Sequence, residues 1–215
     1  MTEHSNNLII FDLDGVLIDS LPVMKIAFHY AYQTVVKKGN PPFNEYIKHL
    51  GKGFKDIMKI LSLPETLYEP FIYKSNQLTS TIQCFPGVST LLETLNNKGY
   101  LLSIATGKEG ERARKTLQIL KISQYFHLVV GSDQVPSPKP APDILFYIMN
   151  HFKKTKQETL FIGDSTADIE AGHAANVFTC GALWGYSDSA SLTASKPKQL
   201  INTPLDLLAF LRIPA

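Results

Sequence analysis

The chain has 215 residues, 44% apolar and 19% charged, with a formal net charge of +2. That composition suits a globular protein long enough to bury a substantial core, and the absence of any Lys/Arg-rich block argues against nucleic acid as a partner. No apolar run approaches the ~20 residues of a bilayer span and the opening MTEHSNN has no signal-peptide core, so a soluble cytoplasmic protein with no membrane partner is expected.

The first element is predicted at Leu8 to Phe11, a continuous apolar run that fits a strand covered on both faces in a parallel sheet. It ends in Asp12 and Asp14. Residues two apart in extended chain point to the same side, so both carboxylates face one small volume. Two such charges call for a hard divalent cation with oxygen ligands, Mg²⁺ above all. Gly15 allows the sharp turn that follows.

From Leu21 to about Phe85 the apolar spacing becomes helical. Ile26, Tyr30, Ala31 and Val35 are predicted on one packed face, followed by Tyr46, Ile47 and Leu50, then Ile57, Met58, Ile60 and Leu61, then Leu67, Phe71, Ile72 and Leu78. Breaks at Gly39 to Pro42, Gly51 to Gly53 and Leu63-Pro64 divide this stretch into about four helices. After Phe85-Pro86-Gly87, helix and strand patterns alternate. Helices are predicted at Val88 to Lys98, Arg112 to Leu120, Asp143 to Phe152, Ala167 to Ala175 and Leu205 to Leu211. Strands are predicted at Tyr100 to Ala105, Leu128 to Val130, Thr159 to Ile162 and Val177 to Ala182. The serine-rich stretch Ser187 to Lys196 reads as loop. Cys84 and Cys180 lie far apart and outside any metal-spaced pair, which predicts reduced thiols.

The predicted fold is therefore α/β: a Rossmann-like, doubly wound parallel sheet from residues 1–18 and 86–215, with an all-α cap inserted at 19–85. Ligands in such sheets collect at the carboxyl ends of the strands. Four strand ends carry reactive side chains: Asp12 and Asp14, Thr106-Gly107, a loop leading to Lys139, and Asp164 with Asp168 one helical turn on. This set suits phosphoryl transfer. A carboxylate attacking a phosphate needs positive charge beside it, which Mg²⁺ and Lys139 would supply, and Thr106 with the backbone N–H groups near Gly107 would hold the other phosphate oxygens.

The pattern resembles the haloacid dehalogenase superfamily, in its helical-cap branch of phosphoglycolate phosphatase-like and β-phosphoglucomutase-like enzymes. The resemblance covers nearly the whole chain through Phe-Asp-Leu-Asp-Gly-Val at 11–16, Ala-Thr-Gly at 105–107, Pro-Lys-Pro-Ala-Pro-Asp at 138–143 and Gly-Asp-Ser-Thr-Ala-Asp at 163–168. It implies Asp12 as a nucleophile that becomes an aspartyl phosphate and Asp14 as general acid/base. It further implies Mg²⁺ on Asp12, the carbonyl of Asp14 and Asp164, with Asp168 supporting through water or Lys139, and a small phosphorylated metabolite as substrate.

Mutases of the β-phosphoglucomutase type carry a histidine near position 24, where this chain has Met24. Dehalogenase-type relatives lack the second motif-one aspartate, which is present here as Asp14. Phosphatase therefore outranks both, with sugar phosphomutase as the alternative. His29 and His49 read as surface or cap-core residues, and none of Lys25, Lys37, Lys48, Lys52 and Lys55 stands in a context that favours Schiff-base chemistry. Phospho-receiver domains share the fold style but carry their aspartate after the third strand, here Ser132-Asp133, and have no inserted cap. A non-enzymatic protein on the same scaffold is opposed by the intact motif set. Within the cap, Gly51-Lys52-Gly53 forms a loop between helices. Lys52, and secondarily Lys55, is a candidate for meeting a second anionic group on the substrate.

Overall fold

The computed structural model describes residues 8–213. Strand β1 (Leu8–Phe11) leads through a tight turn to the two-residue β2 (Ile18–Asp19), and four helices follow: α1 (Leu21–Val35), α2 (Phe43–Ile47), α3 (Phe54–Ile60) and α4 (Tyr68–Leu78). Strand β3 (Gln83–Cys84) then returns antiparallel to β2. The ribbon β2–β3 forms the root from which the helical unit projects.

The remaining chain alternates. It runs α5 (Val88–Asn97), β4 (Leu101–Thr106), α6 (Gly110–Ile119), β5 (Leu128–Gly131), α7 (Asp143–Phe152) and β6 (Thr159–Gly163). It continues through α8 (Thr166–Ala175), β7 (Phe178–Ala182), α9 (Ser189–Ala194), β8 (Gln199–Ile201) and α10 (Asp206–Phe210). Six strands form one parallel sheet in the order β5-β4-β1-β6-β7-β8. From β1 the chain first winds outward through β4 and β5, then returns to wind the other way through β6, β7 and β8. The reversal falls between β1 and β6, and such a switch point opens a crevice beyond the strand ends.

Alternation along β1 explains why its run is apolar throughout. Ile9 and Phe11 join a cluster with Leu91 and Leu95 of α5, Leu117 of α6 and Leu207 of α10, whereas Leu8 and Ile10 join one with Ile144 and Ile148 of α7 and Ala171 of α8. All four residues of β1 are at most 1% exposed. Burying each such side chain contributes about 1.5–3 kcal/mol, so the central strand is pinned from both sides.

The helical unit has its own core of Met24, Ala27, Phe28, Ala31, Phe43, Tyr46, Ile57, Met58, Leu67 and Phe71. Here the expected packing face of α1 is corrected in part: Ala31 is buried and Val35 packs against this core as expected, but Ile26 is 50% and Tyr30 37% exposed, while Met24, Ala27 and Phe28 point inward. The helix is apolar nearly all round, so period alone offers two faces. Burial follows the one whose Phe28 ring meets Phe43 and Tyr46, with centroids 5.8 and 4.7 Å away.

The stretch expected as loop contains α9, whose start is capped by the Asp188 carboxylate accepting from the Ser191 N–H at 2.9 Å and whose Leu192 is buried. Strand β8 was not expected either. Cys84 is half-buried, Cys180 buried, and both are free thiols. Among the described residues no helix is long and apolar enough to cross a membrane.

Candidate active site

Parallel pairing aligns Phe11 with Ile104 on β4 and with Ile162 on β6, and the Asp12 N–H extends the ladder to the Ile162 carbonyl at 2.9 Å. Asp12 thus leaves the sheet at the switch point, level with the ends of β4 and β6. Asp164 follows β6 directly, and Asp168 lies in the first turn of α8. Carboxylate oxygens of Asp12, Asp164 and Asp168 come within 4.8 Å of one another, and all three residues are buried.

Lys139 holds this cluster together. Its ammonium is buried, lies 3.0 Å from Asp12 Oδ1, and donates to Asp168 Oδ1 at 2.6 Å and to the Ala105 carbonyl at 3.1 Å. The second oxygen of Asp168 accepts from the backbone N–H and hydroxyl of Ser165 at 3.0 and 2.5 Å. Ser165 Oγ in turn receives the Asp168 N–H, a reciprocal capping box that fixes the start of α8. Both oxygens of Asp168 are therefore engaged by protein. Asp164 Oδ2 accepts the Tyr186 N–H at 2.7 Å. Asp12 Oδ1 is buried and receives no hydrogen bond, with the Lys139 charge 3.0 Å away.

Asp14 faces a different way. Its Oδ1 accepts from Ser20 Oγ at 2.5 Å and from the Lys108 ammonium at 3.0 Å, so its carboxylate is outside the three-aspartate cluster. The turn that follows the two aspartates passes through Gly15 at φ +87°, and a Cβ there would run into the Asp164 carboxylate. Thr106 is buried at the end of β4, its hydroxyl accepting the Lys108 N–H at 3.1 Å.

The helical unit closes over these residues. At Gly107 a Cβ would stand 2.8 and 2.9 Å from the carbonyls of Gly51 and Lys52, so the cap loop rests directly on the end of β4. A cavity of about 80 Å³ remains between cap and sheet, with Asp12, Asp14, Thr106, Gly107 and Lys52 among its lining. Lys55 is exposed and does not line it; nor do His29 and His49. Met24 does, and offers no proton-transferring group.

Several site residues had not been singled out from sequence. Lys108 adjoins Thr106-Gly107 and was within reach of motif reading. Ser20 was not, since nothing in its context marks a contact with Asp14. Tyr186 lies in a stretch too irregular for pattern reading, yet it joins two parts of the site. Its N–H holds Asp164, and its hydroxyl accepts from the N–H groups of Ser20 and Leu21 at 2.6 and 3.0 Å, at the foot of α1.

Crowding the carboxylates out of water alters their acidity. Burial pushes the Asp12 carboxyl from its ordinary 3.8 up to about 7; Lys139 opposes the rise, and Asp168 and Asp14 add to it. Asp164 is raised well above the ordinary range, by burial first and then by Asp168 and Asp12. Burial alone would lower Lys139, but Asp12 and Asp168 more than reverse this and keep it cationic.

The unfolded chain releases the Asp12 proton near 3.8 whereas the folded protein keeps it to about 7. Cation-free protein should accordingly lose stability as pH rises through that interval, and Asp164 acts in the same direction. At ~1.4 kcal/mol per pKa unit, the loss from Asp12 reaches up to ~4 kcal/mol. Urea midpoints in EDTA at pH 5 and 7.5 measure it. A midpoint that climbed towards pH 7.5 would contradict the assignment.

A family model for haloacid dehalogenase-like hydrolases matches residues 9–182. A phosphoglycolate phosphatase of Aquifex aeolicus is 32% identical over 204 residues, covering 90% of this chain and 94% of its own. Among solved structures, a predicted phosphoglycolate phosphatase from Haemophilus somnus superposes with a TM-score of 0.84 at 27% identity, covering 98% of this chain and 99% of that one. A Thermotoga maritima structure named for β-phosphoglucomutase, at 24% identity, matches in fold with a TM-score of 0.75 over 95% of this chain and 98% of its own.

Proposed function

The chain belongs to the haloacid dehalogenase-like hydrolases, and from that premise we propose that it is a Mg²⁺-dependent phosphatase acting on a small phosphomonoester in the cytoplasm through an aspartyl-phosphate intermediate. The observation that carries the reading is the division of labour between two aspartates of one turn: Asp12 sits among buried carboxylates against Lys139, and Asp14 lies apart, held by Ser20 and Lys108.

The donor set fits a hard cation. It is all oxygen, it leaves the buried Asp12 Oδ1 without a hydrogen bond, and Gly15 keeps the space beside Asp164 clear. Asp12, the Asp14 carbonyl and Asp164 would hold Mg²⁺, which when bound offsets the negative charge of nucleophile and phosphate. Asp168, with both oxygens engaged, orients Lys139.

In the proposed reaction the Asp12 carboxylate attacks phosphorus, and the P–O bond to the substrate carbon skeleton breaks. Asp14 gives its proton to the departing alkoxide. The same carboxylate then takes a proton from the water that attacks the aspartyl phosphate, releasing inorganic phosphate and restoring Asp12. Lys139 keeps its proton throughout and meets the anionic charge; Thr106 and the N–H groups at Gly107 hold phosphate oxygens. The closed cap excludes bulk water and limits the substrate to a small molecule, and Lys52 contributes to its binding from the cap loop. The names of the relatives direct the search towards phosphorylated carboxylic acids such as 2-phosphoglycolate.

Hydrolysis of p-nitrophenyl phosphate is expected with Mg²⁺ and is expected to vanish in EDTA, returning on Mg²⁺ addition. Full activity in EDTA would remove the metal from the mechanism. Asp14→Asn should slow alkyl phosphates far more than p-nitrophenyl phosphate, since a poor leaving group needs the proton and a good one departs without it. Matching losses for the two leaving groups would contradict the acid role.

A further inference from the structure

Helix α6 starts immediately after the Thr106-Gly107-Lys108 turn, and Arg112 stands one turn along from Lys108. It lines the same cavity as Asp12 and Thr106 and has been given no role in the chemistry so far. Its guanidinium has five N–H donors. One contact is explained: Nη2 donates to Ser75 Oγ of α4 at 2.8 Å, from core to cap. The Nε–H is buried and has no hydrogen-bond partner, and among the described residues no carboxylate lies within ion-pairing distance of Arg112. Glu109, three residues before it, accepts a hydrogen bond from the Tyr68 hydroxyl of the cap.

A half-buried guanidinium lining a cavity, with a buried unsatisfied donor, is a costly arrangement for a purely structural residue. Tying cap to core requires only the Ser75 bond, which a neutral donor would also make. Lys108, the preceding cation on this side, already has Asp14. The neighbouring walls include Met24, Ile57, Phe71 and Ile82, which provide no anion and little competing solvation. What complements Arg112 has to come with the ligand, and it has to be negative.

The geometry points to Arg112 as the residue that selects phosphomonoesters bearing a second anionic group, a carboxylate or a second phosphate, on the part of the substrate remote from the scissile bond. This rests on the phosphatase reading and adds to it the residue that reads the substrate's second anion. The planar, permanently charged fork suits either group through paired hydrogen bonds. Because Ser75 belongs to the cap and Arg112 to the core, an anion bound there also favours the closed arrangement.

Steady-state kinetics on matched pairs tests the inference. 2-Phosphoglycolate is paired with ethyl phosphate, and the ω-phosphorylated three- and four-carbon acids with the corresponding alkyl phosphates. The parent protein should prefer at least one acid over its alkyl partner by tenfold or more in kcat/KM. Arg112→Met should collapse that ratio towards one, chiefly through KM, and Arg112→Lys should keep part of it. Ser75→Ala, a gentler change should Arg112→Met fold poorly, should lower the ratio in the same direction. Hydrolysis of the alkyl phosphates with no preference for the acids, nor for the matching alkane bisphosphates assayed alongside, would overturn this inference alone. So would a preference that survives Arg112→Met yet disappears in Lys52→Ala. If neither acids nor alkyl phosphates are hydrolysed, the phosphatase reading falls and this one with it.

Discussion

Asp12→Asn is expected to reduce phosphomonoester turnover by at least about 10³-fold while leaving the protein folded and, in EDTA at pH 7.5, more stable than the parent. The two effects share one cause. Asp12 is 3% exposed, beside two further buried carboxylates, and burial raises its carboxyl to about 7. The amide keeps the shape of the side chain and removes the charge that disfavours the cluster. It also removes the nucleophile, for which no other group stands in the same position, and loss of a covalent nucleophile is among the largest single-residue effects known in catalysis. Steady-state rates together with urea midpoints check both halves. A folded Asp12→Asn protein retaining activity within tenfold of the parent would sink covalent catalysis at this residue; a midpoint below the parent's would show that the carboxylate stabilises the cation-free fold.

Much of this site was legible in the sequence because its residues are attached to regular elements. Asp12, Thr106 and Asp164 end buried strands, and the periodicity of a doubly wound fold brings strand ends to one edge without any knowledge of side-chain contacts. Lys139 could be placed by its loop, and the family resemblance offered it as one of two ways for Asp168 to act; that its ammonium meets both Asp12 and Asp168 comes from the structure. What could not be read depends on contacts between elements distant in the chain. Ser20 is only six positions from Asp14, yet nothing local marks the pair, because the contact depends on where the β2–β3 ribbon sets the foot of α1. Tyr186 holds Asp164 from 22 positions away and the foot of α1 from more than 160. Arg112 shares a helix face with ordinary surface residues, and only the lid formed by α4 turns it from a solvated cation into an enclosed one.

The same distinction explains the two corrections to the fold. The ring contacts of Phe28 selected one of two apolar faces on α1, a tertiary choice with no local signal. In α9 a serine-rich composition concealed a short helix that depends on the Asp188 cap and the burial of Leu192. Neither correction touches the sheet edge, where the chemistry lies.

Lys139→Met is expected to be the most destabilising change at the site, costing about 3–5 kcal/mol at pH 7.5 in EDTA, because removing one member of a buried ionic group leaves the others uncompensated. Methionine fills much of the lysine volume, so packing accounts for little of the loss. The ammonium contacts Asp12 and Asp168 at 3.0 and 2.6 Å and also donates to the Ala105 carbonyl, so its deletion affects two carboxylates and one backbone acceptor together. The penalty should shrink at pH 5. Without the lysine charge, which lowers the Asp12 and Asp164 carboxyls in the parent, these acids take up protons more readily, and the folded state gains from acidification over a wider interval. Turnover with Mg²⁺ should fall by about 10²–10³-fold, the scale of losing one preorganised donor to a developing anionic charge. Urea melts of parent and variant at the two pH values, with kcat measured alongside, separate these contributions. A stability loss of equal size at pH 5 and pH 7.5 would show that Lys139 acts through packing rather than through charge, and would undo its place at the centre of the site.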